Sequence, residues 1–235
     1  SRGDADIYIA KYSSEGQLIW AKSIGGTELD QPNSLALNDN GNVVVVGQYK
    51  SPLLDADPSQ GVYSLSGQGS EDAFVIRLDS DGDFLWAKSL GAGSTDRGAC
   101  AATDKVGNVY VTGYYSGTVS IDGKTLSSPG GFNGFAMKFT AAGEVEWVIN
   151  LGGAQDDELR RVAGDSEGNV VLSGYSNSSV NFNPLGNTAQ VFVSQGHQSF
   201  VAKYSPAGEF VWINRISGSL FQNGSMACIN LDDDI

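Results

Sequence analysis

Carboxylates at recurring spacing are the residues of this 235-residue chain with the clearest capacity for chemistry. Asp79-Ser80-Asp81-Gly82-Asp83 offers alternating oxygens of the kind that ligate calcium, and Asp55 and Asp57 in LLDADP offer a sparser version. A calcium loop of the helix-loop-helix type closes on a glutamate at its twelfth position, and none stands there after Asp79. The aligned turns read SSEGQ, TAAGE and SPAGE, so this run reads first as an acidic hairpin turn. Asp55 and Asp57 recur as Asn181 and Asn183 and as Ser120 and Asp122, although Asp-Pro and Asn-Pro are also ordinary turn starters. The candidate calcium ligands are therefore Asp55 and Asp57, followed by Asp79, Asp81 and Asp83.

Asp30, Asp96 and Asp157 each lie ten residues after a tryptophan. A catalytic acid is needed once and a structural one in every repeat, so these three are expected to order loops by accepting backbone N–H bonds. The single histidine, His197, sits in VSQGHQS with no partner motif, and with Arg160 and Arg161 it makes no recognisable catalytic set. No catalytic residue and no organic cofactor is assigned. Lys11, Arg77, Lys138 and Lys203 share one repeated position, and Lys22 and Lys88 share another; both sets read as solvated or edge-protecting charges. Arg2-Gly3-Asp4 spells an adhesion tripeptide, but Gly3 aligns with Gly69 and Gly130 in the repeat's own turn. Asn177-Ser178-Ser179 and Asn223-Gly224-Ser225 fit glycosylation acceptors.

The elements that must position these groups are copies of one phrase. IYIAKYSSEGQLIWAKSIGG returns as FVIRLDSDGDFLWAKSLGAG, FAMKFTAAGEVEWVINLGGA and FVAKYSPAGEFVWINRISGS. All four tryptophans, Trp20, Trp86, Trp147 and Trp212, follow a glycine by four residues: Gly16, Gly82, Gly143 and Gly208. β-Branched, aromatic and aliphatic residues flank each turn, whose first residue (Ser13, Asp79, Thr140 or Ser205) bonds the backbone two residues on. The glycine supplies the positive φ that ends a type I turn with a bulge, which predicts a hairpin. A second hairpin turns at Gly41-Asn42, Gly107-Asn108 and Gly168-Asn169. A variable insert follows, expected to form a small peripheral ribbon, with Asp122-Gly123 as its clearest turn.

Tryptophan spacings of 66, 61 and 65 residues thus enclose four strands and a ribbon. Such a unit cannot bury both faces alone, and antiparallel strands favour radial closure into a β-propeller over a linear solenoid. The inner strands would be SLALN, ACAATD and RVAGD, with Ala36, Ala102 and Ala163 suiting a crowded axis. The tryptophan strands would lie outermost, their indoles forming core between blades before serving as sugar platforms.

The pattern D-x-F-V-x-K-x-D-x-x-G-x-x-x-W-A-K followed by G-G, D and D-x-x-G-N-V-Y-V-T-G-Y resembles the bacterial β-propeller repeat family of the SBBP type. The likeness covers essentially the whole chain and is closest over Asp72 to Tyr115. It implies secreted or cell-surface bacterial proteins with no shared catalytic site. The expected division is a partial blade at 1–33, whole blades at 34–96, 97–157 and 158–222, and the start of another at 223–235. These bounds suggest a piece of a longer protein, with a four-bladed ring closed through the termini as the competing arrangement.

A net charge of -13 and a pI near 4.3 make nucleic acid and anionic membranes poor partners. No apolar run approaches the roughly 18 residues that span a bilayer. Cys100 and Cys228 fall in corresponding apolar segments and read as buried small residues rather than a disulfide. The function expected is a noncatalytic extracellular or cell-surface scaffold for a protein or glycan. The alternatives are a calcium-assisted, lectin-like module and an enzyme with its site at the central channel mouth.

Overall fold

The computed structural model describes residues 3–192 and 196–216, Ile216 by its backbone alone. Arg2, the acceptor at Asn223, Cys228 and the expected new blade at 223–235 lie outside the described residues. These residues form an all-β structure, and among them no helix is long and apolar enough to cross a membrane.

The first hairpin is β1 (Ile7–Tyr12) and β2 (Leu18–Ile24). Next come β3 (Asp30–Leu37), β4 (Val43–Tyr49), the ribbon β5 (Leu53–Asp55) and β6 (Ser64–Ser66), then β7 (Asp72–Leu78) and β8 (Phe84–Leu90). The same order repeats as β9 (Arg97–Thr103), β10 (Val109–Tyr115), β11 (Thr118–Ile121), β12 (Lys124–Ser127), β13 (Asn133–Phe139) and β14 (Val145–Leu151). A third copy comprises β15 (Asp157–Gly164), β16 (Val170–Ser176), β17 (Val180–Asn181), β18 (Val191–Phe192), β19 (Gln198–Tyr204) and β20 (Phe210–Ile216). The sheets are β3-β4-β7-β8, β9-β10-β13-β14 and β15-β16-β19-β20, every pairing antiparallel.

Local chemistry explains the connections. Gly16, Gly82, Gly143 and Gly208 have φ between 80° and 86°, and in each hairpin the register slips beside the turn, the expected bulge. Asp122 (φ 46°) and Gly123 (φ 77°) are both left-handed, so β11 and β12 meet in a type I′ turn. All three inserts form the expected ribbon. The first strands of the three blades start at Asp30, Arg97 and Asp157. Pro32 precedes the expected strand SLALN, yet it pairs with Gly47 in the ladder and Asn33 is left over as a bulge.

The central strands β4, β7 and β13 are buried along their whole length because a neighbouring sheet covers each face. The apolar core accordingly lies between blades. One cluster joins Val44, Val46 and Val75 to Val111, Phe135 and Phe139, a second joins Tyr110 and Trp147 to Leu172 and Phe200, and a third joins Ile7 and Ile9 to Phe74. Inner strand β9 lies against β3 on one side and β15 on the other, so the sheets fan about one axis. Cys100 is a buried free thiol beside that axis.

The blades are clamped in a repeated way that corrects the reading of the cations. Trp20 Nε1 and Lys11 Nζ both donate to the Ser80 carbonyl of the next blade's turn, at 3.2 and 2.8 Å. Trp86 Nε1 and Arg77 Nη1 share the Ala141 carbonyl at 3.1 and 3.0 Å, and Trp147 Nε1 and Lys138 Nζ share that of Pro206, both at 3.1 Å. Arg77 and Lys138 are buried, because a flat indole and a long cation together satisfy a turn carbonyl that water cannot reach. Lys22 and Lys88 also reach across, to Asp83 at 3.1 Å and Asp122 at 2.9 Å. Lys138 also pairs within its own sheet, with Glu146 at 2.7 Å, and Lys203, beyond which no further blade is described, pairs with Asp165 of its own sheet at 2.8 Å.

Candidate functional site

Two kinds of polar site emerge: those every blade repeats, and one that no blade repeats. The repeated acids order the loops. Asp30 Oδ2 accepts from the Gly26 N–H at 2.7 Å and Ser51 Oγ at 3.0 Å. Asp96 accepts from the Ala92 and Ser116 N–H groups at 3.0 and 3.1 Å. Asp157 accepts from those of Gly153, Asn177 and Ser178 at 2.8, 2.9 and 3.0 Å. All three are buried, so each carboxylate fixes the loop from one blade's outer strand to the next blade's inner strand.

Burial pushes Asp96 up to about 6, against its two N–H bonds and assisted by the charge of Asp72. A carboxyl raised in the folded state binds its proton there before it does in the unfolded chain. Its contribution to stability therefore improves as pH falls from 7 toward 4, by about 2–3 kcal/mol. The melting-temperature gap between the native chain and Asp96→Asn, followed from pH 7 to 4, is expected to move in favour of the native chain. A flat gap would contradict the ionised buried acid.

Of the five candidate calcium ligands, Asp55, Asp57 and Asp79 accept from backbone N–H groups, and Asp83 pairs with Lys22. Asp55 Oδ1 accepts from the Asp57 and Tyr63 N–H groups at 3.2 and 3.1 Å, and Asp57 Oδ1 from that of Ser59 at 2.8 Å. Asn181 repeats the first pattern toward Asn183 and Gln190 at 3.0 and 2.9 Å. Asp79 Oδ1 caps its turn by accepting from the Asp81 and Asp83 N–H groups, both at 2.9 Å. Among the described residues no three His, Cys, Asp or Glu side chains converge to hold a metal ion.

The unrepeated site lies on the axis. Each inner strand carries a bulge at one matching place, where Asn33, Ala99 and Arg160 have no partner in the ladder. Opposite each stands a glycine, Gly47, Gly113 or Gly174, whose added Cβ would meet the Gln31, Arg97 or Glu158 carbonyl at 2.0 Å. The bulge thus requires glycine and turns inner-strand side chains toward the axis. There Asn33, Gln48, Arg97, Ala99, Tyr114, Arg160 and Arg161 line a cleft of about 280 Å³.

Most of these side chains are held firmly. Asn33 Nδ2 donates to Gln48 Oε1 at 2.5 Å and to the Gly98 carbonyl at 2.8 Å. Arg97 Nε and Nη2 both meet Glu71 Oε2 at 2.6 Å, and Nη1 donates to Tyr114 Oη at 3.3 Å. Burial opposes the Arg97 charge, but Glu71 and Tyr114 outweigh it and hold the guanidinium above its ordinary range. Arg160 Nη2 meets Glu158 Oε2 at 2.7 Å, and Tyr175 Oη donates to Glu158 Oε1 at 2.5 Å. Arg160 lies 5.4 Å above the Tyr175 ring, whose other neighbour is a stacked His197 at 4.2 Å.

No protein-family model matches the chain. Among curated proteins it is similar to the uncharacterized WD repeat-containing protein L264 of Acanthamoeba polyphaga mimivirus, 24% identical over 86% of this chain. The chain is a partial β-propeller. It is also similar to the regulatory protein FlaEY of Caulobacter vibrioides, 29% identical over 67% of this chain. The propeller spans 17% of the length of each of these relatives. A crystal structure of a protein of unknown function from Bacteroides caccae aligns with 91% of this chain and 94% of its own at 8% identity, with a TM-score of only 0.28.

Sequence reasoning named Arg160, Arg161 and His197 but saw no set in them. In the propeller Arg160 and Arg161 share the cleft with Arg97, and His197 joins Arg160 through Tyr175. The signal that could have found the cleft is contrast. Gly47, Gly113 and Gly174 repeat, whereas the inner-strand positions Gln31, Arg97 and Glu158, or Ser34, Cys100 and Arg161, do not.

Proposed function

We propose that this propeller is a noncatalytic binding module of the SBBP type, acting outside the cell or on its surface, which presents its axial cleft to a protein or glycan ligand. One observation carries the reading. Residues that build blades recur in register, while the inner-strand polar residues that differ from blade to blade, Asn33, Arg97, Arg160 and Arg161, come together at the axial cleft. Repetition marks scaffold, and function is argued from the residues that depart from it at one site. The WD-repeat designation of the mimiviral relative supports a scaffold role.

The test is a screen of the 235-residue chain on glycan arrays and extracellular protein libraries, with parallel assays for hydrolase and oxidoreductase turnover. The expected result is saturable binding that weakens when Asn33, Gln48 or Tyr114 is replaced by alanine, without turnover. Turnover abolished by a single cleft substitution would establish the enzyme reading instead. Binding that survives every cleft change but vanishes in chelator and in the Asp55→Ala, Asp57→Ala double variant would favour the lectin-like, calcium-assisted module.

A further inference from the structure

We infer that the axial cleft is an anion site that receives the carboxylate of a small ligand, with Arg161 as its principal contact and Arg97 and Arg160 beside it. This rests on the reading of the cleft as the ligand site and names the chemistry of what enters it. Three of the six arginines of a chain with net charge -13 line this one cleft. Scattered solubilising charge does not produce that concentration, and a concave wall focuses its field.

Two carboxylates, Glu71 and Glu158, are shared among the cations around the cleft. Glu71 holds Arg97 and Glu158 holds Arg160, both through bonds of 2.6 to 2.7 Å, so two forks are fixed before any ligand arrives. Arg161 differs from them. Its Nη1 donates to the Arg160 carbonyl at 2.9 Å, and among the described residues no carboxylate lies within ion-pair distance of it. Three guanidinium groups and the Lys50 ammonium, which meets Glu71 Oε1 at 3.3 Å, stand against two carboxylates and leave positive charge in excess. Arg160 Nε, buried and without an acceptor, adds an unused donor beside it. Tyr114 Oη accepts from Arg97, which turns its own proton outward to donate.

The free fork of Arg161 suits a carboxylate, which a planar guanidinium grips with two parallel bonds. Phosphate and sulfate offer the same fork a tetrahedral set of oxygens, so they serve as the competitors against which the carboxylate assignment is tested. The volume of about 280 Å³ admits one sugar acid or one amino-acid-sized group.

The test uses the full 235-residue chain in isothermal titration at low salt. The probes are glucuronate, glutamate and citrate, with glucose as the uncharged control and inorganic phosphate and sulfate as competing oxyanions. Saturable binding of at least one carboxylate below about 20 mM is expected, with no binding of glucose. Arg161→Gln should weaken it by about tenfold and Arg161→Lys by less, because lysine keeps the charge and loses the fork. Both variants are expected to melt with the native chain, since the position faces the open cleft. If Arg161→Gln unfolds, Tyr114→Phe serves in its place and should weaken binding severalfold. Failure of all three carboxylates, affinity unchanged in Arg161→Gln, or tighter binding of phosphate or sulfate would overturn the inference. A neutral ligand whose binding needs Asn33 and Gln48 would refute the anion site and leave the binding-module reading intact. Carboxylate binding accompanied by turnover would do the reverse.

Discussion

Trp86→Ala is expected to cost about 3–5 kcal/mol, among the largest losses any single truncation in this chain can produce. The indole is buried at the seam between two blades, packs on the Phe139 ring at a centroid distance of 5.5 Å and covers the turn at Gly143. Its Nε1 proton is one of two donors to the Ala141 carbonyl, which truncation would leave to Arg77 alone. Trp86→Phe separates the two effects: it keeps most of the apolar contact and loses the hydrogen bond, so about 1–2 kcal/mol is expected. Trp20, half-buried in the same role, should lose less than Trp86 when truncated. Denaturant unfolding followed by intrinsic fluorescence and by circular dichroism checks this. Because the core lies between blades, the alanine variant should also separate the two transitions, as loss of a nearest-neighbour interface does in a repeat array. A loss below about 1 kcal/mol would mean that the clamp does not couple the sheets.

Gly113→Ala is expected to cost about 3 kcal/mol or more through overpacking, although alanine ordinarily suits a strand better than glycine does. The added methyl would stand 2.0 Å from the Arg97 carbonyl and 2.6 Å from the Phe135 ring, and the carbonyl belongs to a ladder that cannot yield cheaply. Relief requires undoing the bulge between Gly98 and Cys100, which would swing Arg97 and Ala99 relative to the axis. Gly174→Ala should act alike and, by disturbing Arg160, also weaken whatever the cleft binds. Urea midpoints of the two variants, set against Gly93→Ala, where nothing crowds the added carbon, make the measurement. Equal midpoints for all three would remove the steric account of the bulge.

Much of a blade can be read without coordinates. The turn glycines, the Asp122-Gly123 ribbon, the four-strand unit and the N–H-accepting role of Asp30, Asp96 and Asp157 all follow from short stretches of chain. The cations show where such reading ends. Arg77 occupies a position that local pattern assigns to solvent, yet it is buried because a carbonyl 64 residues away needs it. The cleft is harder still, since it depends on a bulge that leaves no mark of its own in the residues it displaces.

By itself the amino-acid order determined the strands, the turns and the size of the repeating unit, because those depend on steric limits and hydrogen bonds between residues a few positions apart. Tertiary structure alone decided which faces of successive sheets meet, that Trp20, Trp86 and Trp147 with their cations grip the next blade's turn, and that Arg97, Arg160 and Arg161 come together. The physical reason is that a sheet with two apolar faces is satisfied by any apolar cover. Only the fanning of inner strands about one axis selects the neighbour and brings residues from different blades to the same point.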